Sequence, residues 1–377
     1  MRRRRLFFSI GTRPEAVKLA PLVRECRNRS QEFEVFVCLS GQHRELVDPL
    51  VEYFELRPNC DLQVMSPNQN LADLMSRCVR KVDDALGQFG PDFVIVQGDT
   101  TTAAATAQAA FFRKKPIVHV EAGLRTGSMG SPFPEEFNRR LISLAATFHC
   151  APTEQAAANL KAEGIANARV RVTGNTGIDA LLWTAERERL QSQTTLLNPL
   201  VLVTAHRRES FGSGIAGICH AVRKLAQRYP EHRFAWPLHP NPKVEEPVRD
   251  ALGDVANVRL GPALDYPEFV RTMDRATLIL TDSGGVQEEA PSLGKQVLVL
   301  RNDTERPEGI AAGCAELVGT DAEKIVERAA YYLDASQNGK TRIEIKNPYG
   351  DGQASRRIAD WLAEFNPDRM GEVVRGS

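Results

Sequence analysis

Residues 91–123, PDFVIVQGDTTTAAATAQAAFFRKKPIVHVEAG, read as strand, helix and strand in direct succession. DFVIVQ (92–97) is an apolar run of strand length that ends at Gly98, TTAAATAQAAFFRKK (101–115) has helical character, and PIVHV (116–120) is apolar again and ends at Glu121. Short apolar runs joined by helical segments are the pattern of a doubly wound parallel sheet. LFFSI (6–10), FEVFVCL (33–39), FHCA (148–151) and RVRVTG (169–174) extend it through the first half of the chain. The pattern restarts after the polar stretch RERLQSQTTLLNP (187–199) with LVLVTAH (200–206), RFAWPLH (233–239), NVRLG (257–261), TLILTDS (277–283) and QVLVLRN (296–302). So many strands fit two α/β halves joined by a linker better than one large sheet.

Composition narrows the function. The 377 residues, 42% hydrophobic, supply cores for two ordinary domains, and 48 basic residues balance 48 acidic ones. No global charge attracts nucleic acid or an acidic membrane surface. Arg2–Arg5 precede an apolar part of only Leu6 to Ile10, short of the ~7–15 residues of a signal-peptide core, and no run approaches a membrane span. The expectation is a cytoplasmic protein. Seven cysteines without a CxxC pair read as reduced, mostly buried residues rather than a zinc site.

In open α/β sheets ligands bind beyond the carboxyl ends of the strands. The polar residues expected there are Gly11–Glu15, Gly98–Thr100, Glu121, His206–Arg208 and Asp282–Gly285. Asp99 reads either as a site carboxylate or as the N-cap of the following helix, and Glu135 either as a site carboxylate or as a charge stabilised by the helix dipole. Ala122-Gly123 continues a turn, so capping is not open to Glu121. Asp282–Glu289 joins a strand to a helix, with Ser283 at the cap position and Gly284 and Gly285 leaving room for a phosphate; a well-capped helix is the alternative. Arg301 and Arg306 add planar donors suited to pyrophosphate. His119, inside a strand, reads as core. No GxGxxG segment follows a strand, so a nicotinamide cofactor has no evident seat, and neither a cofactor nor a metal is expected.

GTRPEAVKLAPL (11–22), GQHRE (41–45), GDTTTAAA (98–105), HVEAGLRTG (119–127), PEEFNRR (134–140), TGNTGIDAL (173–181), TAHRRESFG (204–212), TDSGGVQEEAPSLGK (281–295), RNDTERPEG (301–309) and NPYGDG (347–352) resemble, in order, the motifs of the non-hydrolysing UDP-N-acetylglucosamine 2-epimerases. The resemblance implies a GT-B architecture: two Rossmann-like domains, near 1–175 and 176–354, facing a central cleft, with a last helix at about 355–377 returning to the first domain. It implies a homodimer with UDP-N-acetylglucosamine as substrate and, in bacterial members, as an allosteric activator. Asp99, Glu121, Glu135, Arg139 and His206 match catalytic positions; Arg13, Lys18, Ser283, Gly284, Gly285, Glu289 and Arg306 match positions that hold substrate and UDP. Gln42, His43 and Arg208 match the candidate activator region. Gln97 stands where histidine is frequent and Asn302 where aspartate is usual, and neither is expected to touch a catalytic group. The C2–H of the sugar is not adjacent to a carbonyl, so epimerisation needs either transient oxidation or loss of the anomeric group; without a nicotinamide site the second route is favoured. A hydrolysing epimerase, a GT-B glycosyltransferase and a nucleotide-sugar sensor are the rival readings.

Overall fold

The computed structural model of the chain describes residues 2–42, 44–66, 69–191, 199–337 and 347–365. It divides into two compact units, Met1–Ala180 with Gly350–Ser377, and Leu181–Tyr349. The first is built on a sheet of β1 (Arg4–Ile10), β2 (Phe33–Leu39), β3 (Cys60–Asp61), β4 (Phe93–Gln97), β5 (Ile117–Val120), β6 (Phe148–Ala151) and β7 (Val170–Val172). Their order is β3-β2-β1-β4-β5-β6-β7, and every neighbouring pair is parallel. The second unit carries β8 (Leu200–Thr204), β9 (Arg233–Leu238), β10 (Val258–Pro262), β11 (Ala276–Thr281), β12 (Gln296–Val299) and β13 (Ala315–Leu317), in the order β10-β9-β8-β11-β12-β13, again all parallel.

This order fixes where a site can form. In each sheet the chain winds outward on one side and then crosses back to wind on the other, so strand order reverses between β1 and β4 and between β8 and β11. Helices leave opposite faces at such a point, which opens a crevice beyond the strand ends. Gly11–Glu15, Gly98–Thr100, His206 and Asp282–Gly285 follow these four strands, Glu121 follows β5, and Glu135 and Arg139 lie on the helix Glu135–Ala145.

The parallel strands are buried on both faces, which explains their unbroken apolar runs. Phe7, Val94 and Val96 pack with Ala103, Ala104 and Ala107 of the helix Thr101–Phe112. That helix lies between Leu71–Phe89 and Glu135–Ala145 and is buried on nearly all sides. Its alanines let three helices approach closely, at little cost in side-chain entropy. In the second unit Val203, Leu280, Leu298 and Trp236 meet Ile218, Val222 and Leu225 of the helix Ser213–Arg228.

Two short strands have no counterpart among the sequence-predicted runs. β3 and β13, of two and three residues, are edge strands too short to carry a periodic signal. The polar stretch expected as a linker also differs: its first five residues, Arg187–Gln191, complete the helix Thr176–Gln191. Glu188 and Arg189 pair there with Arg271 at 3.2 Å and Asp274 at 2.5 Å, tying that end to the helix Tyr266–Arg275. Residues 192–198 lie outside the described residues.

The helix Ala354–Glu364 belongs to the first unit. Asp179 accepts from the Ala354 and Ser355 N–H groups at 3.1 and 2.6 Å, which accounts for both the aspartate of TGNTGIDAL and the turn after NPYGDG. Arg29 pairs with Asp360 at 2.7 Å, and Trp361 packs edge-on against Phe148. All seven cysteines are free, and Cys60 alone is only partly buried. Among the described residues no helix is long and apolar enough to cross a membrane.

Candidate active site

A cavity of about 400 Å³ opens at the carboxyl ends of β1, β4 and β5 in the first unit, and its lining includes Lys18, Gln42, Asp99, Glu121, Glu135 and Arg139. Glu121 follows β5 directly and holds a left-handed backbone, φ +64°. Such a conformation costs a non-glycine residue on the order of 1–3 kcal/mol and must be held by its surroundings. Two donors hold the side chain. Lys18 Nζ, from the helix Arg13–Asn28, lies 2.6 Å from each carboxylate oxygen, and the Gln97 amide donates to Oε2.

Gln97 is therefore a correction. It was expected to touch no catalytic group, but its position at the end of β4, parallel to β5 with Gln97 in register with Val120, brings its amide onto the next residue's carboxylate.

Asp99 is the partner of Arg139, whose Nη2 and Nε lie 2.5 and 3.1 Å from Oδ2. Burial pushes the Asp99 carboxyl above its ordinary range; Arg139 and Lys18 pull it back, and Glu121 adds to the rise. The capping alternative for Asp99 falls away, because Thr100 is the N-cap: its hydroxyl accepts from Ala103 N at 3.0 Å. Asn138 Nδ2 donates to the Asp99 carbonyl at 2.9 Å, and His119, fully buried, sits 2.7 Å from the Gly98 carbonyl. Burial lowers the His119 pKa to about 4, so it is a neutral strut in the core, as its place in the strand implied.

The two adjacent glutamates separate cleanly. Glu136 is fully buried and paired with Arg139 at 3.2 Å and Arg140 at 2.9 Å. Glu135, at the start of the helix Glu135–Ala145, faces the cavity and has no hydrogen-bond or ion-pair partner among the described residues. Arg13 is exposed and likewise unpaired among them.

Glu15 was read only as part of a motif, and the structure gives it a definite place. It lies three residues after the N-cap Thr12, the spacing of a capping box, and is fully buried. Burial pushes its carboxyl up to about 7, against four hydrogen bonds that pull the other way. The unfolded chain thus ionises at this position first. The stability that its proton contributes is fully present below about pH 4.5 and is lost as pH rises through about 7. In urea titrations the stability of Glu15→Gln relative to wild type is expected to grow from pH 5 to pH 7.5; a pH-independent difference would contradict the assignment.

In the second unit Asp282, fully buried after β11, accepts from the His206 and Arg207 N–H groups, each at 2.8 Å, and so joins the ends of β8 and β11 at the switch point. His206 Nδ1 lies 3.6 Å from Asp282 Oδ1, and its ring stacks on His239 with centroids 5.5 Å apart. Burial lowers the His206 pKa; Asp282 raises it, and His239 and Arg207 lower it further. Ser283 holds the N-cap position of the short helix Gly284–Glu289, although its hydroxyl makes no capping bond. A Cβ on Gly284 would sit 3.4 Å from Arg306 Nη2 and 3.6 Å from Arg207 Nη2, so the glycine admits both guanidinium groups beside the helix start. Gly285 is exposed there and Glu289 half-buried. Arg306 pairs with Glu288 at 2.5 Å. Arg301 is buried and pairs with Glu209 at 2.5 Å, Asp303 at 3.5 Å and Glu305 at 3.9 Å. Gln42 accepts from Thr102 Oγ1 at 2.7 Å. His43 lies outside the described residues, and only the backbone of Arg208 is described.

The profile of the UDP-N-acetylglucosamine 2-epimerase family matches residues 24–363. The chain is 47% identical over 363 residues to the UDP-N-acetylglucosamine 2-epimerase of Escherichia coli K12, covering 93% of this chain and 96% of that protein. The chain belongs to the UDP-N-acetylglucosamine 2-epimerase family. Among solved epimerases, that of Neisseria meningitidis bound to UDP-GlcNAc superposes with a TM-score of 0.84 at 42% identity, covering 96% of this chain and all of that one. The Methanocaldococcus jannaschii epimerase in complex with UDP-GlcNAc and UDP gives 0.76 at 30% identity, with the same coverage of each chain. The α/β fold with two parallel sheets is thus the family's GT-B-type fold.

Proposed function

We propose that the chain interconverts UDP-N-acetylglucosamine and UDP-N-acetylmannosamine by anti elimination and re-addition of UDP. The observation that carries the mechanism is the set of carboxylates on one cavity, Asp99, Glu121 and Glu135, two of them directly paired with cations. A carboxylate takes the C2 proton while the C1–O bond breaks, its electron pair leaving with UDP. The C2–H electrons form the C1=C2 bond of 2-acetamidoglucal. UDP oxygen then adds to C1 as a second carboxyl delivers a proton to the other face of C2, and no net oxidation or water is required. Asp99 suits proton donation, since burial lets it keep its proton to higher pH than an ordinary aspartate.

The reading gives the sugar chemistry to groups of the first unit, with Arg13 and Lys18 also holding substrate. It gives UDP retention to Ser283–Gly285, Glu289 and Arg306 of the second. His206, with a depressed pKa, serves as a neutral hydrogen-bonding imidazole. Family membership supports three further parts of the proposal: a homodimer, a cytoplasmic setting, and activation by a second UDP-N-acetylglucosamine near Gln42, His43 and Arg208.

Proton NMR of the protein incubated with UDP-N-acetylglucosamine alone tests the activity. The expected result is a mixture of the two UDP-sugars. Free N-acetylmannosamine with UDP would instead indicate a hydrolysing enzyme, and unchanged substrate would overturn the assignment.

A further inference from the structure

Glu15 stands outside the groups assigned to the reaction, yet it touches the two turns beside Lys18 and Asp99. Its Oε2 accepts from Gly11 N at 2.9 Å, Thr12 N at 2.8 Å and Thr12 Oγ1 at 2.9 Å, while Oε1 accepts from Thr100 Oγ1 at 2.7 Å. Gly11 and Thr12 lead from β1 into the helix that carries Lys18. Thr100 follows Asp99 directly. One buried side chain therefore joins the ends of β1 and β4, the two strands on either side of the switch point. The first turn also packs against the start of the helix Thr101–Phe112: a Cβ on Gly11 would lie 2.2 Å from Thr102 Oγ1.

We propose that Glu15 is a positioning residue for the epimerisation, setting the separation between the Lys18–Glu121 pair and Asp99 by tying Thr12 and Thr100 to one carboxyl group. The proposal rests on the reaction assigned above. The link does not depend on charge. A proton on Oε1 can be donated to Thr100 Oγ1 while Oε2 keeps its three donors, and a glutamine in the same place offers an amide N–H to Thr100 and its oxygen to the other three. Glutamine should therefore preserve the link. Alanine leaves the Gly11 and Thr12 N–H groups buried without their acceptor and leaves the Thr100 hydroxyl only its cap on Ala103 N.

The test is steady-state epimerisation of UDP-N-acetylglucosamine by the full chain, with folding checked by circular dichroism. A displacement of about 1 Å of reacting groups costs on the order of 10²-fold. Glu15→Ala is accordingly expected to lower kcat by about 10–100-fold with KM within about threefold of wild type, and Glu15→Gln to restore kcat to within about fivefold. A purely structural role would lower the melting temperature of the alanine variant and leave its kcat intact, and that result overturns the proposal. An equal loss in Glu15→Gln also overturns it, because the charge and not the hydrogen-bonded link would then be at work. Should Glu15→Ala fail to fold, the Thr100 pair decides: Thr100→Val is expected to lower kcat at least about fivefold and Thr100→Ser to recover it, and an unchanged kcat in Thr100→Val rejects the link. Inactive wild-type protein would reject the assigned reaction; active wild type with fully active Glu15→Ala would reject only the role of Glu15.

Discussion

Glu121→Gln is expected to lower kcat by roughly 10²–10⁴-fold, the usual worth of a positioned acid or base. The substitution keeps the size of the side chain and the backbone, while the carboxylate that Lys18 and Gln97 both address disappears. An amide can accept from Lys18 but cannot take a proton from carbon. The Lys18 ammonium, only 22% exposed, loses the carboxylate 2.6 Å from its Nζ, so a fall in melting temperature should accompany the loss of turnover. Because a catalyst cannot move an equilibrium, kcat/KM should fall by the same factor from either epimer. Stopped assays in both directions measure this. Turnover within a few fold of wild type in a folded variant would remove Glu121 from the proton transfers.

Asp99→Asn is expected to lower kcat by a similar factor, roughly 10²–10⁴-fold, with less effect on stability. Asp99 faces Arg139, and Arg139 also pairs with the buried Glu136, so the guanidinium keeps one charge partner when Asp99 is neutralised. The fold should therefore tolerate the change better than Glu121→Gln. Thermal melts of the two variants beside their rate constants separate these expectations. If Asp99→Asn turned over normally, the proton would have to come from Glu135, and Glu135→Gln would show the loss instead.

Much of the fold was legible because it is written in local pattern. The runs at 6–10, 92–97 and 116–120 announce buried parallel strands, and the segment 101–115 announces the helix between two of them. Sheet order was not, since nothing local records that β4 returns beside β1. β3 and β13 escaped because two or three residues cannot display a period. Residue types and strand ends pointed to the site, and the family motifs assigned roles, but the pairings that define it are tertiary. Lys18 and Glu121 lie 103 positions apart and Asp99 and Arg139 lie 40 apart, and no spacing rule connects them. Gln97 looked inert because a neutral amide advertises no chemistry, and only the parallel register of β4 and β5 shows what it touches. Glu15 carried a usable signal, the Thr12-to-Glu15 capping spacing, but that signal predicts a helix start and not the bond to Thr100.

The elimination step is tested most directly by running the reaction in deuterated water with UDP-N-acetylglucosamine labelled with oxygen-18 at the anomeric bridge. The expected result is solvent deuterium at C2 of the product, together with movement of the label from the bridge into the non-bridging β-phosphate positions as the C1–O bond breaks and re-forms. Net epimerisation with the original hydrogen retained at C2 and no free 2-acetamidoglucal would contradict the elimination route.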